Sequence, residues 1–175
     1  MFRVVMGEMS ATELAGEALD VLCVHVDGVS YALALSAVLE VLPAVAAVPL
    51  PNSPKIVEGV INVRGRLVPL LDLRVRLGLP SRPRRADDHI VLCLVAGRTV
   101  AVRVDRAESL VAIRSDDVEN PRAVAPTEHL NGVVRLPDGI LLVCDAESFL
   151  GVEEWRRLDE ALTDLHPDSA HESGV

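Results

Sequence analysis

Gly59-Val60-Ile61-Asn62-Val63-Arg64-Gly65-Arg66-Leu67-Val68-Pro69-Leu70-Leu71-Asp72 has a second version further along the chain, Gly132-Val133-Val134-Arg135-Leu136-Pro137-Asp138-Gly139-Ile140-Leu141-Leu142-Val143-Cys144-Asp145. Each runs glycine, apolar strand, turn, apolar strand, aspartate, with thirteen positions from the first glycine to the aspartate. Two such hairpins at one spacing predict an internal duplication. Gly59, Gly65 and Gly132 then serve the backbone at turns. Asp72 and Asp145 are expected to accept N–H bonds from whatever follows each hairpin.

Working outward, each copy is preceded by another hairpin. Val21 to Val26 alternates, Asp27-Gly28 permits a tight turn, and Val29 to Leu35 alternates again. Ile90 to Val95, Ala96-Gly97 and Thr99 to Val104 repeat that plan, and Leu110 to Ile113 adds a strand. Between the first pair of hairpins, Ser36 is expected to cap a helical turn over Ala37 to Leu42 that Pro43 ends, before a short strand from Val45 to Val48. Leu73 to Leu77 reads as a helical turn. About five short strands per half are enough to curl into a small barrel. The expected architecture is therefore mainly β, with a first five-stranded barrel at about 21–80 and a second at about 89–150 sharing a core. Ser81 to Asp88, rich in Pro, Arg and Asp, reads as an exposed linker. Residues 1–20 form an extension. Trp155, Leu158, Leu162 and Leu165 give 151–166 a helical stripe, and 167–175 have the composition of a disordered tail.

A length of 175 residues with 50% apolar content supports a real core, and 2% aromatics means that Val, Leu, Ile and Ala must build it. The net charge of -9 argues against a general nucleic-acid binder. Within that acidity, 64–85 holds seven arginines against the single Asp72, so a nucleic-acid-binding barrel using this stripe is the alternative reading. It lacks the aromatic platforms that single strands stack on. Val29 to Leu50 is apolar and long enough to test as a membrane span, but Glu40 would lie near mid-bilayer and Pro43 would interrupt the helix. Three separated cysteines, each in an apolar run, read as reduced core thiols in a cytoplasmic protein.

No phosphate loop, His-Glu-x-x-His pair or Cys-x-x-Cys occurs, so neither a cofactor nor a metal is expected and no catalytic residue is assigned. His25, His89 and His129 are isolated candidates for a site with Cys93. Cys144-Asp145 could be forced into a thiol triad, but a strand thiol is usually a small hydrophobe. Glu40 and Arg64 are the charges hardest to read as surface filler, because each is embedded in apolar sequence. They form either a partly buried pair or two independent surface charges.

The stretch from Gly59 through Asp72 to Arg74 resembles the signature of CheW-type chemotaxis adaptors. The likeness extends to Leu39-Glu40-Val41, Pro51-Asn52-Ser53-Pro54, Val100 to Asp105 and Leu130-Asn131-Gly132-Val133, covering about Leu22 to Leu150. It implies two SH3-like barrels on a shared core within a domain at 21–150. The implied role is a non-catalytic adaptor that couples chemoreceptor tips to the regulatory domain of a histidine kinase, without entering the membrane itself, in arrays at the inner membrane. By position, Val38, Glu40, Asn62 and Arg64 resemble the receptor-binding groove, with Glu40 and Arg64 as its ion pair. Leu42, Pro43, Ala44 and Val45 resemble the kinase-facing surface. One departure stands out: the position before Gly59 is often basic in that family and is Glu58 here.

Overall fold

The structure is a computed structural model and describes residues 16–123 and 128–165, so the tail expected at 167–175 and most of the 1–20 extension lie outside the described residues. Eleven strands run in order as β1 (Ala18–Val26), β2 (Val29–Ala34), β3 (Val38–Pro43), β4 (Val57–Val63), β5 (Arg66–Asp72), β6 (His89–Val95), β7 (Arg98–Val104), β8 (Arg106–Arg114), β9 (Val118–Glu119), β10 (Leu130–Leu136) and β11 (Gly139–Cys144). Helix α1 (Leu73–Arg76) follows β5, and α2 (Val152–Leu165) ends the described chain. The four hairpins form where alternation and turn residues place them. Asp27 and Gly28, Arg64 and Gly65, and Ala96 and Gly97 all have positive φ, matching the strand twist at two-residue turns.

The strands form two sheets, ordered β8-β1-β2-β11-β10-β9 and β3-β6-β7-β5-β4. This overturns the expected division at the 81–88 linker. The hairpin β1–β2 joins the later strands β8 to β11, whereas β6–β7 joins the earlier β3, β4 and β5. The duplication is therefore interlaced, each hairpin completing the other half's sheet. Parallel pairings make the exchange: β11 lies beside β2 through Leu142–Tyr31, and β5 beside β7 through Leu71–Val102.

One segment closes each sheet by pairing with both edges. Residues 38–48 pair with β6 along β3 and then reach β4 through the Val48–Val60 bridge. Residues 106–119 pair with β1 along β8 and with β10 along β9. Where the closing segment crosses, no side chain fits: a Cβ on Gly59 would lie 2.4 Å from the Val48 carbonyl oxygen, and one on Gly132 would lie 2.1 Å from Val118 Cγ1. The register also slips at both glycines.

Each closed sheet has its own interior. Val21, Cys23 and Ala32 in one stand where Ile90, Leu92 and Ala101 stand in the other, and Val134 and Leu141 match Ile61 and Val68. The opposite faces meet in a larger shared core around Leu22, Val24, Leu33, Val91, Cys93 and Val102, which Phe149 and Leu158 of the C-terminal elements complete. Asp72 accepts the Arg74 N–H and Asp145 the Glu147 N–H, so each copy's aspartate caps the turn that follows it.

Three local expectations differ from the structure. The helical turn is a short 3-10 segment at Leu35–Ala37, and Val38–Pro43 is a strand. Only Val48 of the 45–48 stretch pairs. The 81–88 segment is not a free linker, because Asp88 is 1% exposed and the Arg82 side chain is largely buried. Residues 29–50 form β2, β3 and connections, and among the described residues no helix is long and apolar enough to cross a membrane.

Candidate functional site

Glu40 lies on β3 and Arg64 at the β4–β5 turn, so the sheet's two outermost strands carry them toward each other. Arg64 Nη1 donates to Glu40 Oε2 at 2.8 Å and Nη2 to Oε1 at 2.7 Å, a bidentate fork with the planar geometry that carboxylate–guanidinium pairs favour. The hydrogen bonds from Arg64 hold the Glu40 carboxyl below its ordinary range. The pair is partly buried on one side only: the Glu40 side chain is 35% exposed and that of Arg64 72%. In water such a fork contributes little to stability. What it does is present a fixed, chemically distinct surface across the closed end of the sheet.

Around the fork the remaining candidates divide. Asn62 is exposed, and its Oδ1 accepts the Gly65 N–H at 2.8 Å, which shapes the turn that carries Arg64. Val38 instead packs against the shared core. Exposed Leu39 sits beside Glu40 on the strand, and exposed Leu67 pairs with Asn62 across the hairpin. Sequence reasoning missed these two leucines because an isolated leucine in an apolar run carries no signal of exposure.

A second feature lies at the opposite end of β3. Leu42 packs into the sheet interior, Pro43 is exposed, and the Ala44 N–H donates to the Asp88 carbonyl at 3.0 Å. Beyond them Val45 and Val48 are exposed, and Ala44, Val45, Leu70 and Ile90 line a cleft of about 200 Å³ rimmed by Arg84 and Arg85.

Beside that cleft runs a buried ion network with no sequence signature. Arg103 bonds Glu58 through Nε at 2.7 Å, Asp72 through Nη2 at 3.0 Å and Asp88 through Nη1 at 3.3 Å. Arg82 joins Asp88 to Asp105, and Arg74 joins Asp105 to Asp27. Burial raises the carboxyls of Asp88 and Asp105, but the hydrogen bonds they accept and the nearby guanidinium groups outweigh it and leave both below the ordinary range. Glu58, the acidic residue before Gly59, is held by Arg84 and Arg103.

The same contacts neutralise most of the basic stripe. Of its seven arginines, Arg64, Arg74, Arg76, Arg82 and Arg84 are each paired with a carboxylate, so the run of positive charge in sequence is not a continuous positive surface in space, and Arg66 and Arg85 remain exposed. The histidines are equally scattered: His25 meets Glu108 and Ser30, His89 accepts the Ala107 N–H, and His129 meets Ser148. All three cysteines are buried, and burial, reinforced by Asp145 and Cys93, pushes the Cys144 thiol up to about 12. A thiol held in that range is not a nucleophile at neutral pH.

Residues 20–154 match the family model described as CheW-like domain. The chain belongs to the CheW-like family. A chemotaxis protein CheW from Treponema pallidum is 26% identical over 135 residues, covering 73% of this chain and 79% of the relative. Another, from Bacillus subtilis, is 26% identical over 148 residues, covering 83% and 94%. Among solved structures, the scaffolding protein TtCheW from Thermoanaerobacter tengcongensis superposes with a TM-score of 0.72 at 24% identity, covering 79% of this chain and 96% of that one. The fold is the pair of SH3-like barrels expected from the resemblance, and the CheW-like match spans both interlaced sheets.

Proposed function

We propose that this chain is a non-catalytic adaptor that couples chemoreceptors to a histidine kinase in a chemosensory array, recruited to the inner membrane by those partners. The fork between Glu40 and Arg64 carries the reading, because a bidentate pair held on the surface by two strand edges is a recognition feature with little value for stability. Asn62 and Arg64 on one hairpin and Glu40 on β3 make the receptor-binding face, with Val38 supporting β3 from the core side. Leu42 to Val45 make the kinase-binding face at the other end of the same strand. A surface of this kind binds through shape and a few anchors and performs no chemistry.

The test is binding of the purified chain to the receptor cytoplasmic tip and to the kinase regulatory domain from the same organism. Charge reversal of Glu40 or of Arg64 alone should weaken receptor binding and leave kinase binding intact, with partial recovery in the double reversal. Equal loss of both partners, or simple additivity in the double variant, would remove the assignment.

A further inference from the structure

The cleft beside Ala44 and Val45 has a chemistry of its own. Ala44, Val45, Ala46, Leu70 and Ile90 give it an apolar lining, beside which the buried Asp88 and Arg103, already paired with each other, also face it. Its rim is cationic, and the two rim arginines differ. Arg84 is committed to Glu58 at 3.1 Å. Arg85 is exposed, and its described hydrogen bonds are made by its backbone: the N–H to Asp88 Oδ2 at 2.9 Å, and the carbonyl from the Asp88 N–H at 3.2 Å. Among the described residues no carboxylate is ion-paired with its guanidinium, whereas Arg82, Arg84 and Arg103 beside it all are.

The backbone position of Arg85 is nonetheless fixed. Asp88 is buried and anchored by Arg82 and Arg103, and by accepting the Arg85 N–H it pins the turn that presents the side chain. An exposed guanidinium on a rigid turn, next to an apolar cleft in a chain of net charge -9, is a built complement to a carboxylate beside an apolar side chain.

We infer that Arg85 is a specificity residue of the kinase-facing surface: the partner inserts an apolar side chain between the Ala44–Val45 strap and Leu70, and sets an Asp or Glu against Arg85. This rests on the adaptor reading and gives the partner surface a chemistry. Glu58 takes no part in attracting the partner, because Arg84 and Arg103 occupy both of its oxygens.

The experiment measures association of the full chain with the kinase regulatory domain from the same organism, at low and high salt, for wild type, Arg85→Glu, Val45→Glu and Arg106→Glu. Arg106 is an exposed arginine on β8, in the other sheet. Arg85→Glu should slow association roughly tenfold at low salt, with the gap closing as salt rises, as for a rim charge. Arg106→Glu should bind as wild type does. Melting of Arg85→Glu should match wild type, since the anchoring bonds are made by the backbone. Wild-type association with Arg85→Glu unchanged, or Arg106→Glu equally slowed, overturns the assignment of Arg85 while the adaptor reading stands. Failure of the wild type to associate, or no effect of Val45→Glu, overturns the kinase-facing reading itself, and the assignment of Arg85 falls with it.

Discussion

Gly59 and Gly132 occupy equivalent places in the two copies but face different obstacles. An added Cβ at Gly59 meets backbone, the Val48 carbonyl oxygen at 2.4 Å and carbon at 2.9 Å, whereas at Gly132 the nearest atom is a Val118 side-chain methyl and the nearest backbone atom is the Glu119 carbonyl oxygen at 3.2 Å. Gly59→Ala should therefore destabilise the protein by about 1–3 kcal/mol and Gly132→Ala by less, read by chemical denaturation. Because Val48 closes the first barrel, Gly59→Ala should also increase hydrogen exchange at the Val60 N–H, which donates to the Val48 carbonyl. The repeat made both glycines conspicuous in the sequence. Their reason was not legible there, because the obstacle lies eleven positions upstream in one case and thirteen or fourteen in the other. Glu40 and Arg64 were conspicuous for their apolar neighbours, and the neighbours that matter are the strand edges that aim them.

Among the elements, the 81–88 segment shows most clearly how charge organises this fold. Arg103 serves Glu58, Asp72 and Asp88 together, so Arg103→Ala would leave Asp72 without its arginine and take one of two arginines from each of Glu58 and Asp88, all in a largely buried place. The expected loss is about 3–5 kcal/mol, measured as a fall in the denaturation midpoint. Asp88 and Asp105 have carboxyls depressed in the folded state, so their ionisation favours folding fully above the unfolded carboxylate value of about 4 and progressively less as pH falls through it toward their folded values. Asp88→Asn should lower the melting temperature at neutral pH and flatten the acid side of the stability curve. An unchanged acid limb would contradict the role given to this carboxylate. None of this was readable as a motif, since Asp27, Glu58, Asp88 and Asp105 are spread along the chain and reach the arginines only through folding. Strand β3 was misread for a related reason. Val38 and Val41 face the shared core while Leu42 faces the barrel interior, so the strand is apolar on both sides and shows no alternation.

For the molecule as a whole, interlacing means that neither half of the sequence holds a complete barrel. A fragment of residues 1–80 contains β1 and β2 without β8 to β11, and β3 to β5 without β6 and β7. It should be unfolded alone, while the full chain should unfold in one cooperative transition followed alike by far-UV signal and by Trp155 fluorescence. Local hairpins were legible because turns and alternation are local. Which hairpin completes which sheet was not, because two similar copies offer similar partners and only the three-dimensional pairing chooses between them. This joint construction places the fork of Glu40 and Arg64 at one end of β3 and the cleft beside Val45 at the other, so one rigid body offers two separate faces. The most direct measurement is co-sedimentation of receptor fragments and kinase with and without the chain. Wild type should bring the kinase down with the receptor, and the Arg64 charge reversal should leave the kinase in the supernatant still bound to the adaptor. Kinase recovery with receptor that is independent of the chain, or unchanged by that reversal, would contradict the account.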